Sequence, residues 1–486
     1  MKNEKIWYEL DAFAKTYSSI ISEGRTTCFR LSALFSENID LKVLRNVAVL
    51  LERKYPFYNS ELKKGIFWNY LQQKKTHFMI EEEKTYPCTD IQKDNPLRII
   101  YFNNKLSIEI AHFLTDGKGA MLFFQDLIEE YTEKKYFSKN IRNENFENKR
   151  IIVENNGKSE DKNKFKIKNK DLVNDKNLKK MIDFPKMIGS KIKNFENKSF
   201  LENKKKILKK NEEIFGNYDE ENNVKENKYV DLYEKYMRKV SKETTIKSAF
   251  HLPMKILEKG QYHITTGEIY IDDLKMESKK YKTTIGKYLL AVYFKILLDR
   301  YSSAKSPIVI GVPVDLRRIF EEKTYRNFFI NITPSIDASL GAYSLSEIIT
   351  YLDNYFALKI TKKEFYKSIY KAMNPMRNII IKSVPYLIKR IFFPFIFDYY
   401  GERGYTTGFS NLGVFKIEKK YEKYLKGFRF LPPPSKRCKI KMGVISDSKK
   451  VYINFGNLTA NYDIERDFFV YLRKRGIRSK IITNYF

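Results

Sequence analysis

Residues 29–35 read Phe-Arg-Leu-Ser-Ala-Leu-Phe, an alternation that predicts a β-strand. Leu41–Lys54 instead places Leu41, Leu44, Val47, Ala48 and Leu51 on one face at helical spacing. Leu97–Phe102 and 106–112 flank Asn103-Asn104-Lys105, the pattern of a β-hairpin. Ala120, Phe123, Phe124, Leu127, Ile128 and Tyr131 then return to a helical stripe.

Beyond residue 136 the pattern fails. From 137 to 228 Lys, Asn and Glu dominate and apolar density falls, so this stretch reads as a flexible insert; segment 181–195, with Met181, Phe184, Met187, Ile188 and Phe195, is its apolar exception. From 229 periodicity returns. Residues 308–314 form an apolar run suited to a central strand, with Pro313 near its end. Short strand-like runs lie at 439–445 and 451–455, and 464–475 reads as a closing helix. The organisation expected is an N-terminal lobe (1–136), the insert (137–228) and a C-terminal lobe (229–486).

Composition changes the picture in three places. With 91 Lys+Arg against 59 Asp+Glu the formal net charge is +32, a field that favours anionic partners. Lys, Asn and Ile abound along the whole chain, so a general compositional bias is the simpler reading. Cys28, Cys88 and Cys438 stand far apart without a CxxC pair, and the N-terminus leads into no apolar signal segment; a cytoplasmic location is expected. Residues 379–400 are the most apolar stretch, but Lys382, Lys389, Arg390, Pro385 and Pro394 interrupt it. It reads as a partly buried helical region too broken to span a bilayer, with peripheral contact to an anionic membrane as the alternative.

The candidate chemistry sits at the end of the hairpin. Leu106, Ile108 and Ile110 share a strand face with His112, whereas Ser107 and Glu109 take the other. The strand therefore delivers an imidazole on its apolar side, where a ring of pKa about 6.5 is mostly neutral at pH 7 and can accept a proton. Thr115 or Asp116 is placed to cap the next helix, and Gly117 permits a tight turn into it. His77, His251 and His263 read as ordinary structural histidines. There is no GxSxG nucleophile motif, and Gly401, Gly404 and Gly408 lack phosphate-loop spacing. No nucleic-acid module is visible, and scattered lysines without interleaved aromatics make a poor stacking platform.

Ala111-His112-Phe113-Leu114-Thr115-Asp116-Gly117 resembles the HHxxxDG motif of the CoA-dependent acyltransferase superfamily, which includes chloramphenicol acetyltransferase and peptide-synthetase condensation domains. The first His is replaced by Ala111. A closer resemblance, to bacterial alcohol acetyltransferase-like proteins, is carried by Asn95-Pro96-Leu97-Arg98, Thr283-Thr284-Ile285-Gly286, Val312-Pro313-Val314-Asp315-Leu316-Arg317, Thr324-Tyr325-Arg326-Asn327-Phe328 and Ser410-Asn411-Leu412-Gly413. The DFGWG segment of plant and condensation relatives is missing, and Ser410-Asn411-Leu412-Gly413 stands in that region.

The resemblance implies an α+β, chloramphenicol acetyltransferase-like fold of two lobes, each a mixed sheet with flanking helices, and a tunnel between them. It implies acyl-CoA as co-substrate without a metal, and direct attack by a small-molecule alcohol with His112 as general base. Asp116 would be structural, paired with Arg317. Ser410 and Asn411 would supply hydrogen bonds near the tetrahedral intermediate. The alternatives are a carrier-protein thioester donor or an amine acceptor, as in condensation domains, or a non-catalytic surface-binding member. A monomer is expected.

Overall fold

The computed structural model describes residues 6–22, 25–89, 94–137, 230–237 and 248–484. Residues 138–229, which hold all of the expected insert after Phe137 and its 181–195 segment, lie outside the described residues. The strands among the described residues are β1 (Trp7–Glu9), β2 (Cys28–Phe35), β3 (Ser60–Lys63), β4 (Tyr70–Gln73), β5 (Met79–Glu82), β6 (Leu97–Phe102), β7 (Lys105–Ala111), β8 (His263–Tyr270), β9 (Ile308–Asp315), β10 (Phe329–Ile332), β11 (Ser335–Ile336), β12 (Thr407–Val414), β13 (Leu425–Leu431), β14 (Ile440–Ser446), β15 (Lys450–Asn457) and β16 (Ser479–Thr483).

Two mixed sheets carry the fold. The first has the order β13-β2-β7-β6-β5, and the second runs β10-β9-β12-β14-β15-β8-β16 with β11 beside β9. Parallel pairs are β5–β6 in the first sheet and β9–β12 and β12–β14 in the second. A small third sheet, β1-β4-β3, flanks them.

The expected hairpin is β6–β7, closed through Asn103, whose φ of 48° lies in the left-handed region that Asn tolerates. Its apolar face joins Leu31, Ile99, Ile108 and Ile110 in one core with Phe123, Phe124, Leu127 and Ile128 of helix Gly117–Thr132. A second core gathers helix Ile285–Arg300 on the other large sheet. Asp40 caps helix Leu41–Lys54, and Thr284 caps Ile285–Arg300, each side chain accepting a backbone N–H of the first turn.

Two features depart from the sequence expectations, and a third was not anticipated by them. Strand β13, from the second half of the chain, leaves its own sheet and pairs antiparallel with β2 at the edge of the first, so the halves are not built from consecutive stretches alone. The helix expected at 464–475 is Asp463–Lys474, and the chain continues into β16, an edge strand of five residues that mostly face outward. The face of β7 opposite His112 is not solvent-facing. Arg30, Glu109 and Arg98 are direct cross-strand neighbours on β2, β7 and β6, all buried, with Arg30 Nε donating to Glu109 Oε1 at 2.8 Å and Arg98 paired to its other oxygen. Opposite charges in adjacent register satisfy one another there and lock the strand that precedes His112.

Candidate active site

His112 follows the last residue of β7. Its N–H donates to Thr27 O at 2.9 Å and the preceding Ala111 N–H to Pro96 O at 2.8 Å, so the residues that lead into both neighbouring strands, β2 and β6, hold the backbone at this point. The half-buried ring stacks on Tyr17 of helix Ala12–Ile20, with centroids 4.5 Å apart, and meets Phe29 and Phe329, each at 5.3 Å. Burial pulls the imidazole below its ordinary pKa, against the opposing pull of Asp116. The neutral form is therefore the resident one at pH 7.

The tautomer follows from the groups behind the ring. His112 Nδ1 lies 3.1 Å from Asn327 Oδ1, and Asn327 Nδ2 donates to Asp11 Oδ2 at 3.1 Å. A carboxylate only accepts, so the Asn327 amide must turn its NH₂ toward Asp11 and its oxygen toward His112. Nδ1 is then the protonated nitrogen, and Nε2 keeps the lone pair. Asp11 is itself fixed. It caps helix Ala12–Ile20 by accepting Ala14 N–H at 2.8 Å, and Arg326 Nε lies 3.8 Å away. Burial pushes its carboxyl up, and Arg326 opposes that shift.

Asp116, not Thr115, caps helix Gly117–Thr132. Oδ1 accepts Lys118 N–H at 3.1 Å and Gly119 N–H at 2.9 Å. Arg317 grips both oxygens, Nη2 to Oδ1 at 3.0 Å and Nη1 to Oδ2 at 2.9 Å, and Phe328 N–H adds a bond to Oδ2 at 2.8 Å. The Arg317 Nε donates to Thr324 O at 2.9 Å. This buried bidentate pair ties the loop after His112 to the 315–328 segment that holds Asn327. Thr115 serves a different purpose: its hydroxyl donates to Tyr325 O at 2.5 Å.

His112, Asp116, Gly117, Arg317, Ser410 and Asn411 all line one cavity of about 890 Å³, a volume suited to a small organic ligand. Gly311 on β9 and Gly408 on β12 are register partners, and both face this space, where a side chain at Gly311 would run into the Tyr405 ring at 3.0 Å. Lys118, Arg318 and Lys441 add positive charge to the wall. Ser410 and Asn411 stand on β12, where the register with β14 shifts between Asn411 and Val414. Asn411 Oδ1 accepts Gly413 N–H at 2.9 Å, and Gly413 has a φ of 77°. This bulge sends Leu412 over Gly117, where an added Cβ would lie 2.6 Å from Leu412 Cδ2.

The structure thus brings together every residue that the sequence singled out around His112. Asn327, Asp11 and Tyr17 are additions to that set. Asn327 lies within the Thr324–Phe328 run that carried part of the family resemblance, and Asp11 before an amphipathic stretch is an N-cap signal; neither marks a contact with His112. Gly119 is a further addition: a Cβ there would meet Tyr325 O at 2.5 Å, which makes it the tighter of the two glycines. Cys28, Cys88 and Cys438 are free and buried. Among the described residues no His/Cys/Asp/Glu cluster is arranged to hold a metal ion, and no helix is long and apolar enough to cross a membrane.

No family model and no curated protein matches the chain. Solved structures do. TRI101 of Fusarium sporotrichioides, complexed with coenzyme A and T-2, aligns over 98% of this chain and 99% of its own with 9% identity and a TM-score of 0.53. The TRI3 trichothecene 15-O-acetyltransferase of the same organism aligns over 98% and 95% with 10% identity and a TM-score of 0.51. A mutant starter condensation domain of rhizomide synthetase in complex with C8-CoA aligns over 96% and 94%, again with 10% identity and a TM-score of 0.51. At such identities the likeness is one of fold. Mixed sheets with flanking helices, in the arrangement of these acetyltransferase and condensation-domain structures, are the fold of this chain.

Proposed function

We propose that the protein transfers an acyl group from a pantetheine-borne thioester to a hydroxyl or amine nucleophile, with His112 as general base. The observation that carries this reading is the chain Asp11–Asn327–His112, which leaves Nε2 as the basic nitrogen of a neutral ring on a cavity wall. In the proposed step Nε2 takes the proton of the acceptor as its oxygen or nitrogen bonds to the thioester carbonyl carbon. The tetrahedral oxyanion then collapses, the C–S bond breaks, and the imidazolium returns the proton to the leaving thiolate. Ser410 is the candidate donor to the oxyanion, since it lines the same cavity as His112. Lys118, Arg318 and Lys441 are the residues suited to the phosphates of a pantetheine-bearing donor.

Two donors present the same thioester. Acyl-CoA with an alcohol acceptor is the expectation from the sequence. A carrier-protein thioester with a condensation-like acceptor is supported at least as well, because a starter condensation domain shares this fold over nearly the whole chain. The experiment is release of free thiol from a panel of acyl-CoAs, and from the same acyl groups on a carrier protein, against pooled alcohols and amines. Turnover confined to the loaded carrier protein selects the condensation-like form, and turnover with acyl-CoA alone selects the first. Absence of turnover with both donors would contradict the proposal.

A further inference from the structure

Helix Tyr386–Tyr400 is apolar on its outer side as well as on its inner one. Its inner side is formed by Tyr386, Lys389 and Phe393, all buried. They dock on the loop before β4: Asn69 Nδ2 donates to Tyr386 OH at 2.9 Å, Lys389 Nζ donates to Phe67 O at 2.9 Å and sits 3.6 Å from the Trp68 ring centroid, and Phe393 meets the edge of Trp68 at 5.7 Å. The outer side is apolar. Leu387, Ile391 and Phe395, one turn apart, are 70%, 62% and 71% exposed, and Ile388, Phe392 and Ile396 form a second exposed row beside them. Ile66, 75% exposed, continues the surface from the docking loop through its carbonyl bond to Tyr386 N. A contiguous apolar face of this extent calls for a partner.

The charge around it indicates which. From 377 to 400 the chain carries four cations, Arg377, Lys382, Lys389 and Arg390, against one carboxylate, Asp398 in the last turn of the helix. Lys382 and Arg390 are exposed beside the apolar rows. A two-fold contact with a second copy would set this basic face against itself, in a chain whose formal net charge is +32. An anionic lipid surface matches both properties, taking the apolar rows into the acyl boundary and the cations at the headgroups. We propose that helix Tyr386–Tyr400 is an in-plane docking element for an anionic membrane. Its last turn reaches the catalytic cavity, where Phe397 and Gly401 form part of the wall beside Glu402. A membrane-dissolved reactant would therefore have the cavity next to the bilayer.

The test is sedimentation of the full chain with phosphatidylcholine vesicles, with and without about 30% phosphatidylserine, at about 0.15 M salt. Two variants change only exposed side chains: Leu387→Ser/Ile391→Ser/Phe395→Ser, and Lys382→Glu/Arg390→Glu. Wild type is expected to pellet with the anionic vesicles and not with the neutral ones, and each variant to lose about tenfold or more in partitioning. The proposal is overturned if wild type stays in the supernatant, if it binds neutral vesicles equally, or if both variants bind as wild type does. It is also overturned if wild type dimerises without lipid and the triple variant abolishes that dimer, since a second copy would then cover the face.

Discussion

Asn327 holds His112 from 215 positions away, its amide oxygen 3.1 Å from Nδ1. Asn327→Ala removes that partner and frees the ring, and turnover should fall by about 10²-fold with little change in KM, the cost typical of a misplaced catalytic group. Asn327→Asp keeps the contact but sets a negative charge against the ring. Charge of that sign favours imidazolium, so the pKa of His112 rises and the ascending limb of the pH–rate profile moves to higher pH. A limb that stays in place in Asn327→Asp would mean that another group titrates there.

The Asp116–Arg317 pair carries stability. Both side chains are buried; Arg317→Ala strips Asp116 of its guanidinium, whereas Asp116→Asn leaves Arg317 with Asp315, whose Oδ1 lies 2.8 Å from Nη1. Arg317→Ala should cost about 3–5 kcal/mol in denaturant unfolding, and Asp116→Asn less, because Asp315 still faces the guanidinium. Because the two are in direct contact, the double variant should cost clearly less than the sum of the single ones. Strict additivity would contradict the contact.

Gly119→Ala should harm the fold more than Gly117→Ala. At Gly119 the added methyl meets the Tyr325 carbonyl, a backbone atom held by Thr115, whereas at Gly117 it meets the flexible end of Leu412. Overpacking against a fixed atom costs about 1–3 kcal/mol. A lower thermal midpoint for Gly119→Ala than for Gly117→Ala is the expected reading.

Which parts of this were legible in the chain follows from contact range. The β6–β7 hairpin was, because alternation and an Asn-Asn turn are local signals, and the same parity placed His112 on the apolar face. That Asp116 pairs with an arginine was implied by the family resemblance, and Arg317 was singled out because it follows an apolar strand. Arg30, Arg98 and Glu109 were not legible as a buried set: along the sequence they look like the wet side of an amphipathic sheet, and only the register across three strands pairs them. Asp11 and Asn327 meet across 316 positions, a contact that no periodicity encodes. Strand β13 was not among the strands expected from the sequence, and its pairing with β2 is a long-range contact of the same kind.

The central claim is that His112 Nε2 takes the proton of the acceptor, and the most direct measurement is the turnover of His112→Ala across pH, with its thermal unfolding alongside. Burial holds the wild-type imidazole below its ordinary value of 6.5, so activity should rise as pH climbs through a midpoint under that value and level off by neutrality. The variant should lose that ascending limb, turn over about 10²–10⁴-fold more slowly and keep its fold. A variant as fast as wild type, or one that no longer folds, would contradict the account and leave His112 a packed histidine on the wall of a cavity.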